Sequence, residues 1–173
     1  MKSQAGNPGD DHQKAMAPDS EAHIAPVASH DHAARHVIII GFGLSGRTAV
    51  NAVIEHGISY AVIETNPDTV MRCTKGGLHI ILGDARQPGV LKQADIERAT
   101  DVAVTVPADG IALAVVEQVH KLNPSARIIA RCTFVSGGME AHRLGASEVV
   151  TAESVVANEF GRVISRALGE QSE

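Results

Sequence analysis

A doubly wound α/β fold is what this sequence predicts: a Rossmann-like parallel sheet of about six strands, forming a single domain. Three observations carry that expectation. A β-branched run, Val37-Ile38-Ile39-Ile40, leads straight into Gly41-Phe42-Gly43-Leu44-Ser45-Gly46. Strand-like and helix-like segments then alternate, with short links, up to residue 168. Apolar residues make up 44% of the 173 positions but aromatics only 2%, so the core must be built from Val, Ile, Leu and Ala. That composition suits strands buried on both faces, and the length suits one domain.

The elements follow in order. The first strand is 36–41. Helix 44–56 offers Leu44, Ala49, Val50, Val53 and Ile54 as an apolar face and stops at Gly57. Strand two is 60–64. Asn66 caps the next helix, whose first turn starts at Pro67. Strand three, 79–82, closes on Gly83-Asp84, and a short helix over 87–94 turns Val90 and Leu91 inward. Strand four is 101–106, and helix 111–122 ends at Asn123-Pro124. Strand five is 127–130, helix 134–144 runs up to Gly145, and a short sixth strand covers 148–150. A last helix spans 152–168 and is stopped by Gly169. Residues 1–35 lack any apolar period and are rich in Ala, Pro, Ser, Asp, Gly and His, as a disordered polar tail is.

Several function classes are disfavoured. The net charge is −5 with interspersed signs and no basic stripe, which argues against nucleic acid. No stretch reaches the length of a membrane span, and no apolar signal core follows Met1-Lys2, so a cytoplasmic protein is expected. Cys73 and Cys132 have no metal spacing and read as free, buried thiols. His30-Asp31-His32 fits no structural zinc pattern, so no metal site is expected. His56, His79, His120 and His142 fall on separate elements with no adjacent nucleophile, and no catalytic residue is assigned.

The glycine triplet carries chemistry. Its first glycine allows a tight turn, its second lets a pyrophosphate approach the backbone, and its third lets the helix pack on the strand. The helix that follows points free N–H groups and a positive dipole end at a phosphate. Ligands in such sheets sit at the carboxyl ends of the strands. The candidate binding residues are therefore Gly41, Phe42, Gly43, Leu44, Ser45 and Gly46 after strand one, with the Ser45 hydroxyl a phosphate donor. Glu64 and Thr65 follow strand two. Glu64, 23 residues beyond Gly41, can accept from both ribose hydroxyls and would repel a 2′-phosphate. NAD(H), AMP or ATP is thus favoured over NADP. Asp84 and Ala85 end strand three, where Asp84 either accepts from an adenine amine or makes an Asx-turn. Val106, Pro107, Ala108 and Asp109 follow strand four and can wall the ribose–phosphate region, although Asp109 reads rather as a helix cap. Arg131, after strand five, either answers a phosphate or pairs with Glu64.

With these residues in hand, 36–160 resembles the RCK/KTN nucleotide-binding domain of the TrkA N-terminal type. The matching pieces are the run from Val37 to Gly46, Val62-Ile63-Glu64-Thr65-Asn66-Pro67-Asp68, Gly83-Asp84-Ala85 and Thr105-Val106-Pro107. They continue with Leu122-Asn123-Pro124-Ser125-Ala126-Arg127-Ile128-Ile129-Ala130-Arg131 and Leu144-Gly145-Ala146-Ser147-Glu148-Val149-Val150. The Kef-type cation:proton antiporter branch is the most similar, on Ile63-Glu64-Thr65 and Thr105-Val106-Pro107. The resemblance implies a regulatory domain that binds an adenine nucleotide and controls potassium or other monovalent-cation transport through a membrane partner. It implies a homodimer, or a larger ring, in which the last helix crosses to a neighbour, at the inner face of the cell membrane. On it the chain divides into a tail (1–35), a nucleotide-binding domain (36–151) and a dimerisation helix with its own tail (152–173). The chain carries neither the membrane domain nor the C-terminal lobe common in the family, so a stand-alone subunit and a detached soluble part both stay open. A small NAD-dependent oxidoreductase would use the same glycine loop and Glu64, but only 23 residues follow residue 150 and no Tyr-x-x-x-Lys pair is present. A nucleotide-binding scaffold that does not switch is the third alternative.

Overall fold

The computed structural model describes residues 35–169. The polar tail expected over 1–35 lies outside the described residues except for Arg35 at its edge. Six parallel strands, β1 (His36–Ile40), β2 (Ser59–Glu64), β3 (Ile80–Leu82), β4 (Asp101–Val104), β5 (Arg127–Cys132) and β6 (Glu148–Thr151), lie in the order β3-β2-β1-β4-β5-β6. Six helices link or follow them: α1 (Leu44–Glu55), α2 (Pro67–Lys75), α3 (Pro88–Gln93), α4 (Asp109–Leu122), α5 (Val135–Arg143) and α6 (Ala152–Gly169). This is the doubly wound sheet that the alternation of elements predicts.

The two-residue period of β1 decides the layers. All five of its residues are buried. Ile38 lies level with Ala61 and Val102, and Ile40 with Ile63 and Val104. These positions join Leu91, Val115, Val116 and Ala141 in one large core beneath α3, α4 and α5. Val37 and Ile39 face the other way and pack with Val50 and Val53 of α1 and Val62 of β2. Fully burying each such side chain contributes about 1.5–3 kcal/mol. The second face is closed only over its β1–β2 half. Beyond α1, a groove of about 440 Å³ runs over Ala103, Ile129 and Val150. α6 leaves β6 with none of its residues buried.

Several boundaries differ from expectation for local reasons. Leu44 does not join the apolar face of α1 and is 79% exposed, because the first turn of that helix stands at the carboxyl edge of the sheet. α4 begins at Asp109, since the Ala108 carbonyl already accepts from the Ile111 and Ala112 N–H groups. Phe134 is extended and precedes α5 rather than starting it. β5 continues to Cys132 because β6 pairs with it as far as Thr151. Cys132 is buried as expected, whereas Cys73 is only partly so. Arg35 is tied down: its Nη2 lies 2.9 Å from Asp101 Oδ2 at the amino end of β4.

Candidate functional site

The chain runs outward from β1 through β2 to β3, then returns to the other side of β1 as β4. The carboxyl ends of β1 and β4 therefore send their loops apart, and a cavity of about 360 Å³ opens between them. That size is within the range of small-molecule sites. Of the residues singled out from the sequence, Gly41, Phe42, Gly43, Glu64, Thr65, Asp84, Ala85, Val106 and Pro107 line it.

The glycine loop is built by close approach. Gly41 adopts φ +94°, and its N–H donates to the Ile63 carbonyl at 2.8 Å. A Cβ on Gly46 would stand 2.0 Å from the Gly41 oxygen, so only glycine lets α1 lie this close to the turn. The Thr105 hydroxyl donates to the Ile40 and Gly41 carbonyls at 2.9 and 3.0 Å, which fastens the turn to β4. Around Gly43 the space is empty: no atom comes within 4 Å of the position a Cβ would take. Gly43 is also the N-cap of α1, so no side chain caps the helix, and its first turn holds no acidic residue. The leading N–H groups and the positive end of the dipole are thus left for an anion from outside.

Glu64 stands beside this turn. Its Oε2 accepts from the Phe42 N–H at 2.8 Å. Its Oε1 accepts from the Thr65 and Asn66 N–H groups at 2.7 and 2.8 Å and from the Thr65 hydroxyl at 3.2 Å. Burial pushes the carboxyl up, but the N–H groups of Asn66, Phe42 and Thr65 outweigh it and hold the group below its ordinary range. Glu64 is therefore ionised at neutral pH. Oε2 has a single donor and keeps acceptor capacity for a hydroxyl group.

Asp84 takes the Asx-turn geometry, accepting from the Arg86 N–H at 2.9 Å, and binds the same residue's guanidinium, Nη2 to Oδ2 at 2.6 Å. The Arg86 hydrogen bonds and charge hold the Asp84 carboxyl low. Arg86 lines the cavity and was missed from the sequence, as were Thr105 and Ile111. A Lys or Arg two residues after a strand-end aspartate was the available signal for Arg86.

Other residues singled out from the sequence lie outside the lining of the cavity. Arg131 neither lines the cavity nor pairs with Glu64. Ile128, Ala130 and Cys132 point into the large core, so Arg131 falls on the opposite face and lines the groove beside α1. There its Nη1 is buried without a hydrogen-bond partner among the described residues. Ser45 lines that groove too, and the exposed Leu44 lines neither groove nor cavity. Asp109 does not cap its own helix: its carboxylate accepts from the Thr133 and Phe134 N–H groups at 2.7 and 3.4 Å.

Comparison with known proteins gives the chain its relatives. A family model described as the TrkA-N domain matches residues 37–152. The putative cation/proton antiporter YbaL of Escherichia coli is 27% identical over 122 residues, which are 70% of this chain and 22% of that protein. The crystal structure of the YbaL TrkA-N domain superposes with a TM-score of 0.66 at 26% identity, covering 81% of this chain and 98% of that one. The structure of GsuK bound to ADP gives a TM-score of 0.69 at 26% identity, over 77% of this chain and 34% of that one. The probable potassium channel protein 2 of Methanocaldococcus jannaschii is 29% identical over 120 residues, 67% of this chain and 35% of that protein. The chain thus spans only about a fifth of the length of the YbaL protein and a third of that of the potassium channel protein. The family match covers well over half of this chain and takes in both the glycine turn and the β1–β4 crevice, and the chain belongs to the TrkA-N family.

Proposed function

We propose that this chain is a regulatory module that binds an adenine nucleotide and conveys its presence to a transporter of potassium or another monovalent cation. The observation that carries this reading is the uncapped start of α1 at the open Gly43, with the ionised Glu64 beside it. A phosphate suits the first, and a ribose hydroxyl suits the second. AMP, ADP, ATP or NAD meets both requirements. NADP does not, since its 2′-phosphate would meet the Glu64 carboxylate. The ADP bound by GsuK supports the ligand class, and the channel and antiporter relatives support the partner class.

Regulation rather than catalysis is supported by what the cavity lacks. Among the described residues its titratable side chains are Glu64, Asp84 and Arg86, and each is already ionised and hydrogen-bonded. None is poised to move a proton near neutral pH. A ligand acts here by favouring one of two conformations, which requires unequal affinity for them.

A homodimer is part of the same reading. Val156, Phe160, Val163, Ile164 and Leu168 form an apolar stripe on α6 and are 45–68% exposed. A single helix without tertiary packing is marginal in water. A second copy's α6, laid over the open half of the sheet, would bury both surfaces. The domain then works at the cytoplasmic face of its membrane partner; none of its described helices is itself long and apolar enough to cross a membrane.

Calorimetry with AMP, ADP, ATP, NAD and NADP tests the proposal. We expect heat with at least one of the first four, and affinity for NADP lower by about tenfold or more than for NAD. Silence with every compound at millimolar concentration overturns it.

A further inference from the structure

One junction joins the wall of the cavity to α6. Thr133, just after β5, uses all three of its polar groups there. Its hydroxyl donates to the Pro107 carbonyl at 3.2 Å, and its N–H donates to Asp109 Oδ1 at 2.7 Å. Its carbonyl accepts from the Glu153 N–H at 3.1 Å, in the first turn of α6. The Glu153 carboxylate reaches back to the Val135 N–H at 3.0 Å. Two carboxylates, from α4 and α6, thus hold three successive N–H groups at the start of α5, and Pro107 and Ala108 on the other side of the junction line the cavity.

The junction has no slack. A Cβ on Gly137 would stand 2.6 Å from Asp109 Oδ2, and one on Gly138 would stand 2.9 Å from Thr151 Cγ2. α5 is therefore wedged between the start of α4 and the end of β6. Hydrogen bonds to a carboxylate are short and strong, and close-packed elements shift as units. A ligand that moves the 107–109 turn must either carry residues 133–135 and the start of α6 with it or break these bonds.

We propose that Asp109, Thr133 and Glu153 are positioning residues that couple occupancy of the cavity to the orientation of α6. The coupling rests on the nucleotide reading above and supplies its route to the dimer. It differs from binding itself, since none of the three side chains lines the cavity.

Hydrogen exchange of α6 amides in the full chain, with and without AMP, ADP or NAD, tests it alongside calorimetry. In the unmodified protein the bound nucleotide should change α6 exchange by about fivefold or more. Thr133→Val and Glu153→Ala should bind the same nucleotide within about threefold yet lose that change. Thr133→Ser and Glu153→Gln, which keep the hydroxyl and the acceptor, should restore it. The coupling is overturned if both disrupting variants keep the full α6 response, if they lose nucleotide affinity instead, or if the unmodified protein binds nucleotide with no response in α6. If the unmodified protein binds none of the three nucleotides, the nucleotide reading falls first and the coupling with it.

Discussion

The two ends of the sheet each hold a carboxylate below its ordinary range, and they hold it by opposite means. At the carboxyl end, Glu64 is surrounded by peptide N–H groups. At the amino end, burial pushes Asp101 up, but hydrogen bonds from Arg35, Thr100 and Arg127 bring it down. Peptide dipoles stabilise a charge without cancelling it, so the Glu64 end stays negative and keeps an acceptor for a ligand. Two guanidiniums cancel the charge of Asp101 outright, and Arg127 also comes within 3.7 Å of Glu148. Two further polar side chains at that end, those of His36 and Asn123, are likewise used internally. His36 Nε2 meets the Ala94 carbonyl at 3.0 Å, and Asn123 Nδ2 donates to the Ile96 and Ala99 carbonyls at 2.8 and 2.9 Å. A lowered carboxyl group thus marks a site only when its partners leave it something to offer.

The contrast is broken most severely at Gly46. Its substitution by alanine puts a methyl group 2.0 Å from the Gly41 oxygen, a clash with backbone that no rotamer relieves. We expect a stability loss of about 3 kcal/mol or more, because overpacking here displaces the whole turn. Nucleotide binding should vanish. Urea unfolding and calorimetry check both, and wild-type affinity in Gly46→Ala would show that the turn is not the phosphate site.

Asp101→Ala comes next and should separate the two ends. Asp101 is 6% exposed, while the side chains of Arg35 and Arg127 are half exposed and can return to water. The loss is then mainly that of charge-assisted hydrogen bonds, about 2–3 kcal/mol in urea unfolding. Nucleotide affinity should stay within about twofold, the cavity lying at the far end of the strands.

Glu64→Gln tests the other carboxylate. One oxygen and the charge are lost together, and the Asn66, Thr65 and Phe42 N–H groups must share a weaker acceptor. Affinity for AMP or NAD should fall by about tenfold or more, the worth of a hydrogen bond to a charged group. Discrimination against NADP should narrow as well. An unchanged ratio of NAD to NADP affinity would remove Glu64 from the ribose.

How much of this was legible in advance differs between the ends as well. The Glu64 end is written in two short segments, Gly41 to Gly46 and Glu64-Thr65, whose spacing and strand-end position reveal their meeting point. The Asp101 end depends on Arg35, Asp101 and Arg127, which are joined only by strand register across β1, β4 and β5. Register is a tertiary fact, and nothing local in those stretches announces it. The same holds for Asp109 and Thr133, which are 24 positions apart and meet across neighbouring strand ends. Arg131 is different. The alternation of Ile128, Ala130 and Cys132 already places it on the opposite face of β5, so strand periodicity was the stronger guide there than proximity to the strand end.

Acid titration gives the smallest effect and sharpens the contrast furthest. A carboxyl group whose value is depressed on folding adds stability above its unfolded value, 3.8 for Asp101, and loses it as pH falls through the folded value. The gap between wild type and Asp101→Ala should therefore be widest near neutral pH, hold down to about pH 5, and shrink below about pH 4 as the unfolded carboxyl takes up its proton, until the native carboxylate does so too. Glu64→Gln should show the same sign with a shallower fall, because its site is more open to solvent and screening weakens it. Both variants should keep some acid sensitivity, since Asp84 and Asp109 are depressed too. Urea midpoints measured between pH 2.5 and 7 decide the matter. A gap for Asp101→Ala that stays constant down to pH 2.5 would mean that lost packing, and not the paired charge, accounts for the hold of this end on the sheet.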